Sequence, residues 1–100
     1  MKTKKAAPTS KPLAESEPTL PSSFPGVYLV IWEDAKVVTE GGAWHTIHDV
    51  PYEPYLIYQV GYLVKDVPEG IMLSEAWSDG LMGNPTQIPR GMIRGMRKLA

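Results

Sequence analysis

From residue 26 onward, apolar positions come in short blocks separated by turn residues. Val27-Tyr28-Leu29-Val30-Ile31-Trp32 is β-branched or aromatic almost throughout and apolar at every position, which predicts a central strand. Glu33-Asp34 ends it with charge. Residues 36–43 read as a loop, with Gly41-Gly42 as its turn signal. Trp44 to Val50 predicts a second, weaker strand, and Pro51 and Pro54 break the chain after it because proline has no N–H for a ladder. Tyr55 to Lys65 is the longest strand signal. Leu56, Tyr58, Val60, Tyr62 and Val64 share one face, and Ile57, Gln59, Gly61, Leu63 and Lys65 the other. Gly61 stands in its middle, where a missing side chain marks a bend or a close backbone approach.

Asp66 to Gly70 predicts a turn, Ile71 to Trp77 the returning strand of a hairpin, and Ser78 to Pro85 another loop. Thr86-Gln87-Ile88 is a short strand and Pro89-Arg90-Gly91 a tight turn. Met92, Ile93, Met96 and Leu99 fit one face of a helix, but Gly91 and Gly95 oppose it, so a short closing strand over 92–99 is the favoured reading. The predicted class is therefore all-β, a small five-stranded barrel over residues 26–100.

Residues 1–25 break this pattern. They hold five of the ten prolines among Ser, Thr, Lys and Glu, and their large apolar residues are limited to Met1, Leu13, Leu20 and Phe24. Such a segment buries too little to offset its ordering entropy, so a disordered, Pro-rich arm over 1–25 is expected, solvated in the simpler reading and threading onto a partner or tethering the domain in the alternative. Met1 to Lys5 is basic, but no apolar core follows, which argues against a secretory leader. No apolar run approaches the roughly 18–20 residues that span a bilayer, and no membrane partner is expected.

A chain of 100 residues is one domain at most, and a core this small is marginal unless something supports it. The absence of cysteine removes disulfides and thiolate metal sites, which leaves self-association as the common support. Charge is unevenly placed. Residues 1–26 carry four Lys and two Glu, residues 27–89 two Lys against nine acids, and residues 90–100 three Arg and one Lys. An acidic body argues against wrapping duplex nucleic acid, while the basic end suits a local anion contact.

Candidate chemistry is sparse. His45 and His48 are three apart, so on a strand they point to opposite faces and do not share a metal ion. Glu33, Asp34, Glu75 and Asp79 sit at strand ends and turns, where solvated acids are the simpler reading than an acid–base pair. Ser74 and Ser78 lack a nucleophile-elbow context, and the glycine pairs lack the Lys-Ser/Thr of a phosphate loop. No catalytic residue, metal or cofactor is assigned. Three Trp and five Tyr are many for this size. Core packing is their simpler role. The alternative is an aromatic shelf, Tyr62 and Trp77, beside Arg90, Arg94 and Arg97, which would hold a nucleotide by ring stacking and guanidinium–phosphate pairing.

The segments V-Y-L-V-I-W-E-D-A at 27–35, V-G-Y-L-V at 60–64 and I-P-R-G-M-I-R-G-M-R-K-L at 88–99 resemble small proteins of tailed bacteriophages and prophages. The layout is also similar to the Sm-like small barrel: Gly61-Tyr62-Leu63 with Asp66 resembles its first motif and Arg90-Gly91 its second, although no Asn follows Asp66. That resemblance implies a homo-oligomeric, non-enzymatic module that binds a nucleotide or short RNA, in the sense of sequestering a host signalling nucleotide, in the host cytoplasm, with a phage or host protein as the partner residues 1–25 would reach. The alternative it leaves is a structural or assembly protein of the phage particle.

Overall fold

The computed structural model describes residues 19–38 and 41–100. Most of the expected arm, residues 1–18, therefore lies outside the described residues. Among the described residues seven strands form, in chain order β1 (Val27–Asp34), β2 (Tyr55–Val67), β3 (Gly70–Ser74), β4 (Ala76–Ser78), β5 (Leu81–Gly83), β6 (Thr86–Pro89) and β7 (Ile93–Lys98). Two single 3-10 turns, Ile47–Asp49 and Arg90–Met92, are the only helical elements among the described residues. None is long and apolar enough to cross a membrane.

The protein is all-β, as its pattern predicts. Five strands make one antiparallel sheet in the order β6-β3-β2-β1-β7, and β4 and β5 pair separately as a small hairpin. The main sheet does not close: β6 pairs only with β3, and β7 only with β1. β2 is long enough to serve two partners. Tyr55 to Tyr62 pairs with β1, and Tyr62 to Val67 pairs with β3, so the strand changes neighbour at Tyr62.

Gly61 lies at that change, though the irregularity in register falls just beyond it, between Leu63 and Lys65. What Gly61 permits is a close approach. A Cβ there would stand 2.9 Å from the Ser74 carbonyl oxygen and 3.3 Å from the Leu73 Cβ.

The inner face of the curled sheet holds a small core. Val30, Ile71, Leu73 and Ile88 are fully buried, with Tyr28, Trp32, Leu63, Ile93 and Met96 packed around them. Side chains from β1, β3, β6 and β7 thus meet in one cluster although the strands span the whole width of the sheet. A polar chain crosses the same side: the Trp32 indole N–H donates to Gln59 at 3.1 Å, and the Gln59 amide donates to the Thr86 hydroxyl oxygen at 3.0 Å. Gln59 lies on β2 and Thr86 on β6, two strands apart, so only curvature lets them meet.

Three local expectations are corrected. Trp44 to Val50 is not a strand but a loop with one 3-10 turn, since Pro51 and Pro54 leave it no ladder partner. Ile71 to Trp77 is not continuous. It splits at Glu75, where the Ser74 hydroxyl donates to the Ala76 carbonyl at 2.9 Å and the chain leaves the main sheet. Ser78 to Pro85 is not all loop, because Leu81–Gly83 returns against Ala76–Ser78 around Asp79-Gly80. The closing segment is a strand, as favoured, after the 3-10 turn at Arg90–Met92.

Candidate functional site

Strand alternation places Tyr28, Val30 and Trp32 on the core side of β1, and so Val27, Leu29, Ile31 and Glu33 on the outer side. Register then fixes their neighbours. Across β2, Leu29 stands opposite Val60, Ile31 opposite Tyr58 and Glu33 opposite Leu56. Across β7, Leu29 stands opposite Arg97 and Ile31 opposite Gly95. The result is an outer face three strands wide, apolar on β1 and β2 and carrying Gly95 and Arg97 on β7. Nothing among the described residues covers its β2 side: Tyr58 is 66 % exposed, Val60 56 % and Leu56 38 %.

The face has polar and aromatic borders. At one end Phe24 packs edge-on against both Tyr62 and Trp77, with ring centroids 6.0 and 5.8 Å away. At the other end Glu33 accepts hydrogen bonds from the Tyr52 hydroxyl and from the Arg94 guanidinium at 2.8 and 3.1 Å. Arg94 is the extra residue in β7 where the register with β1 shifts, and this bulge re-aims its side chain along the strand end. The Tyr52 hydrogen bond, helped by Arg94 and opposed by desolvation, holds the Glu33 carboxyl below its ordinary value. The same bond pushes the Tyr52 hydroxyl up, so Tyr52 remains the donor at neutral pH.

Beyond that border runs the 20-residue connection between β1 and β2, far longer than the two to five residues of an ordinary hairpin loop. Its apolar side chains are displayed: Trp44 is 94 % exposed and Ile47 88 %. The Tyr52–Glu33–Arg94 cluster and the Lys36–Glu53 pair at 3.5 Å clasp its base. A cleft there is lined by Glu33, Asp34, Lys36, Val50, Tyr52 and Glu53. Among the described residues no group of three His, Cys, Asp or Glu side chains is placed to hold a metal ion.

The five residues expected to form a ligand shelf do not converge. Tyr62 and Trp77 are brought together, with Phe24 between them. Arg90 is engaged elsewhere, on the Asp66 carboxylate and the carbonyls of Val67 and Gly70 at the β2–β3 turn. Arg94 is engaged on Glu33 and on the Gly91 carbonyl at 2.7 Å. Arg97 alone joins the aromatic side of the molecule, exposed on the outer face beside Leu29 and making no ion pair with a described residue. The outer face itself and the Glu33–Tyr52–Arg94 clasp were missed in the sequence. The signal for the first was present, since Val27 to Trp32 is apolar at outward as well as inward positions and the outward Leu56, Tyr58 and Val60 of β2 are apolar too. The second pairs residues 19 and 61 positions apart, and no local pattern marks it. Comparison with family models, with curated proteins and with solved structures finds no match for this chain.

Proposed function

We propose that this chain is a non-enzymatic binding module that works by association through the outer face of β1, β2 and β7. The observation that carries the reading is the stripe Leu56, Tyr58 and Val60, large, apolar and exposed on a regular strand, over a core that holds four fully buried apolar side chains among the described residues. A solvated sheet face ordinarily alternates to polar residues, and a contiguous apolar patch with a polar rim has the anatomy of an interface. Of the two roles expected from sequence, this favours assembly, in the setting of a phage particle or its construction, over nucleotide capture. The strand order β6-β3-β2-β1-β7, with one 3-10 turn joining the two edge strands, supports a Sm-like small barrel as the finer fold class.

The test is Tyr58→Lys with Val60→Lys in the full chain. Loss of self-association or of a co-purifying partner in native mass spectrometry, at an unchanged melting temperature, is the expected outcome. Association that survives both changes overturns the reading. Nucleotide binding keeps one specific support, Arg97 on the same face as Tyr58 and Tyr62. It predicts a rise in melting temperature with a nucleotide that Arg97→Ala abolishes.

A further inference from the structure

The outer face is not uniform across its three strands, and the unevenness is self-complementary. Its β2 side stands proud, with Tyr58 as the most exposed side chain of the stripe. Its β7 side is hollow at the same level, because Gly95 occupies the position across Ile31 from Tyr58. A Cβ built at Gly95 would have the Ile31 Cδ1, at 3.9 Å, as its nearest neighbour, so the space above Gly95 is open down to the Ile31 side chain.

We propose that the occupant of this face is a second copy of the chain, related by a two-fold axis running along β1, with Tyr58 of each copy seated over Gly95 of the other. This rests on the association reading above and specifies its partner and register. The axis follows from the layout. A half-turn about β1 leaves each level along the strands in place and exchanges the two flanking strands. The β2 stripe of one copy then lies over β7 of the other. Tyr58 meets the hollow at Gly95, Val60 meets Arg97, and Ile31 and Leu29 meet their own counterparts. The contact is isologous and closes after two copies, and aligned packing at about 10 Å is the ordinary relation of two sheets.

Charge agrees with this arrangement. Each Glu33 near the axis carries its own Arg94, so like charges do not meet unpaired. Arg97, without a carboxylate of its own among the described residues, comes beside the Tyr58 ring of the facing copy, where a guanidinium is favoured over an aromatic face. Area sets the strength. Three strands at about 4.8 Å and eight residues at about 3.4 Å give a footprint of roughly 400 Å2 per copy. That is about half of the roughly 800 Å2 per partner in a standard interface, so the dimer dissociates on dilution.

The experiment is sedimentation equilibrium of the full chain over a wide concentration range, followed by two variants and their mixture. The wild type is expected to move from 11.1 kDa toward twice that mass as concentration rises. Tyr58→Ala removes the knob, and Gly95→Trp fills the hollow from a position whose added side chain points to solvent in the monomer. Each alone should weaken the dimer by roughly thirtyfold, the effect of losing a central anchor. Mixed together they should associate again, because one contact is then native and the other sets the new indole against the shortened side chain. Loss with Tyr58→Ala but not with Gly95→Trp, or no recovery on mixing, overturns this register while leaving association through the face intact. No effect of either variant removes both proposals. Leu13→Asp with Leu20→Asp in the full chain should leave the dimer unchanged. Tighter association would instead identify the N-terminal segment as a competing occupant and overturn the assignment.

Discussion

Replacing Gly61 by alanine adds one methyl group at the point where β2 changes partner. Its nearest neighbours would be the Ser74 carbonyl oxygen at 2.9 Å and the Leu73 Cβ at 3.3 Å. Neither can yield easily. The carbonyl belongs to the β3 backbone, and Leu73 and Ser74 are both fully buried, Leu73 in the core. Overpacking of this kind costs about 1–3 kcal/mol. For a folded region of some 75 residues the whole stability is of the order of 4–11 kcal/mol. A loss of that size lowers the melting temperature by about 5–20 °C. Thermal melting followed by near-ultraviolet circular dichroism reads it directly, since Trp32 and Tyr28 line the affected core. Two further glycines make the result interpretable. At Gly91 a Cβ meets nothing within 4 Å, so Gly91→Ala should be neutral or slightly stabilising. At Gly70 a Cβ would fall inside the Ile88 carbonyl oxygen, so Gly70→Ala should be the worst of the three. If Gly61→Ala melts with Gly91→Ala, the close approach of β2 and β3 is wrong and the curvature argued from it fails.

Leu73→Ala should cost about 2–5 kcal/mol, enough to leave a large unfolded fraction at 37 °C, because Leu73 is completely buried in a core of very few side chains; chemical denaturation measures it, and a loss under 1 kcal/mol would contradict the core. Arg90→Ala should lower stability by about 1 kcal/mol, the scale of a half-exposed ion pair with added carbonyl bonds, and leave any ligand affinity unchanged; an affinity loss without a stability loss would return Arg90 to a binding role. The clasp at the base of the long loop should depend on pH. The folded Glu33 carboxyl lies below its ordinary value of 4.5, so its contribution is present above that value and is lost as pH falls through the lower folded one. Tyr52 is raised above 10.0, so the same bond also weakens as pH rises through its folded value. Protection of the loop amides, taken relative to their intrinsic exchange at each pH, should fall on both sides of that window in the wild type, and Glu33→Gln should flatten the acid limb; an unchanged acid limb would remove Glu33 as its cause.

The strands were legible where the chain repeats a two-residue period or ends in turn residues. The strands read at Val27 to Trp32, Tyr55 to Lys65 and 92–99 were found in this way, and the structure runs them over Val27–Asp34, Tyr55–Val67 and Ile93–Lys98. Trp44 to Val50 was misread because β propensity describes a residue that packs on a pleated surface, and this segment has no surface to pack on. The hairpin of β4 and β5 was hidden for the opposite reason. Its strands are three residues each, too short for alternation to be counted, and its order comes from the turn at Asp79-Gly80 and the Glu75 N–H bonded to the Gly83 carbonyl at 2.9 Å. The arginine shelf failed to assemble for an electrostatic reason. Arg90 and Arg94 each had an acid within reach in space, Asp66 and Glu33, that lies 24 and 61 positions away in sequence. A basic terminus on an acidic body is consumed by local pairing before it becomes an anion site, and only geometry tells which cation is left.

β1 connects these observations. A strand apolar on both faces was read as a central strand, and it is one: β1 is flanked on each side, and its inner residues reach the core. The outer half of its pattern remains unspent in one chain. Evolutionary drift toward polar residues at Leu29, Ile31, Leu56, Tyr58 and Val60 would raise solubility at no cost to the core, since none of the five lies within the buried cluster. Leu56, Tyr58 and Val60, exposed on one contiguous patch level with a glycine hollow two strands away, have the anatomy of a contact surface, and the association proposed above would cover them. Under the association proposed above, the outer face of β1 is the working surface, and the turns and acids that a search for catalytic motifs would examine first are peripheral to it.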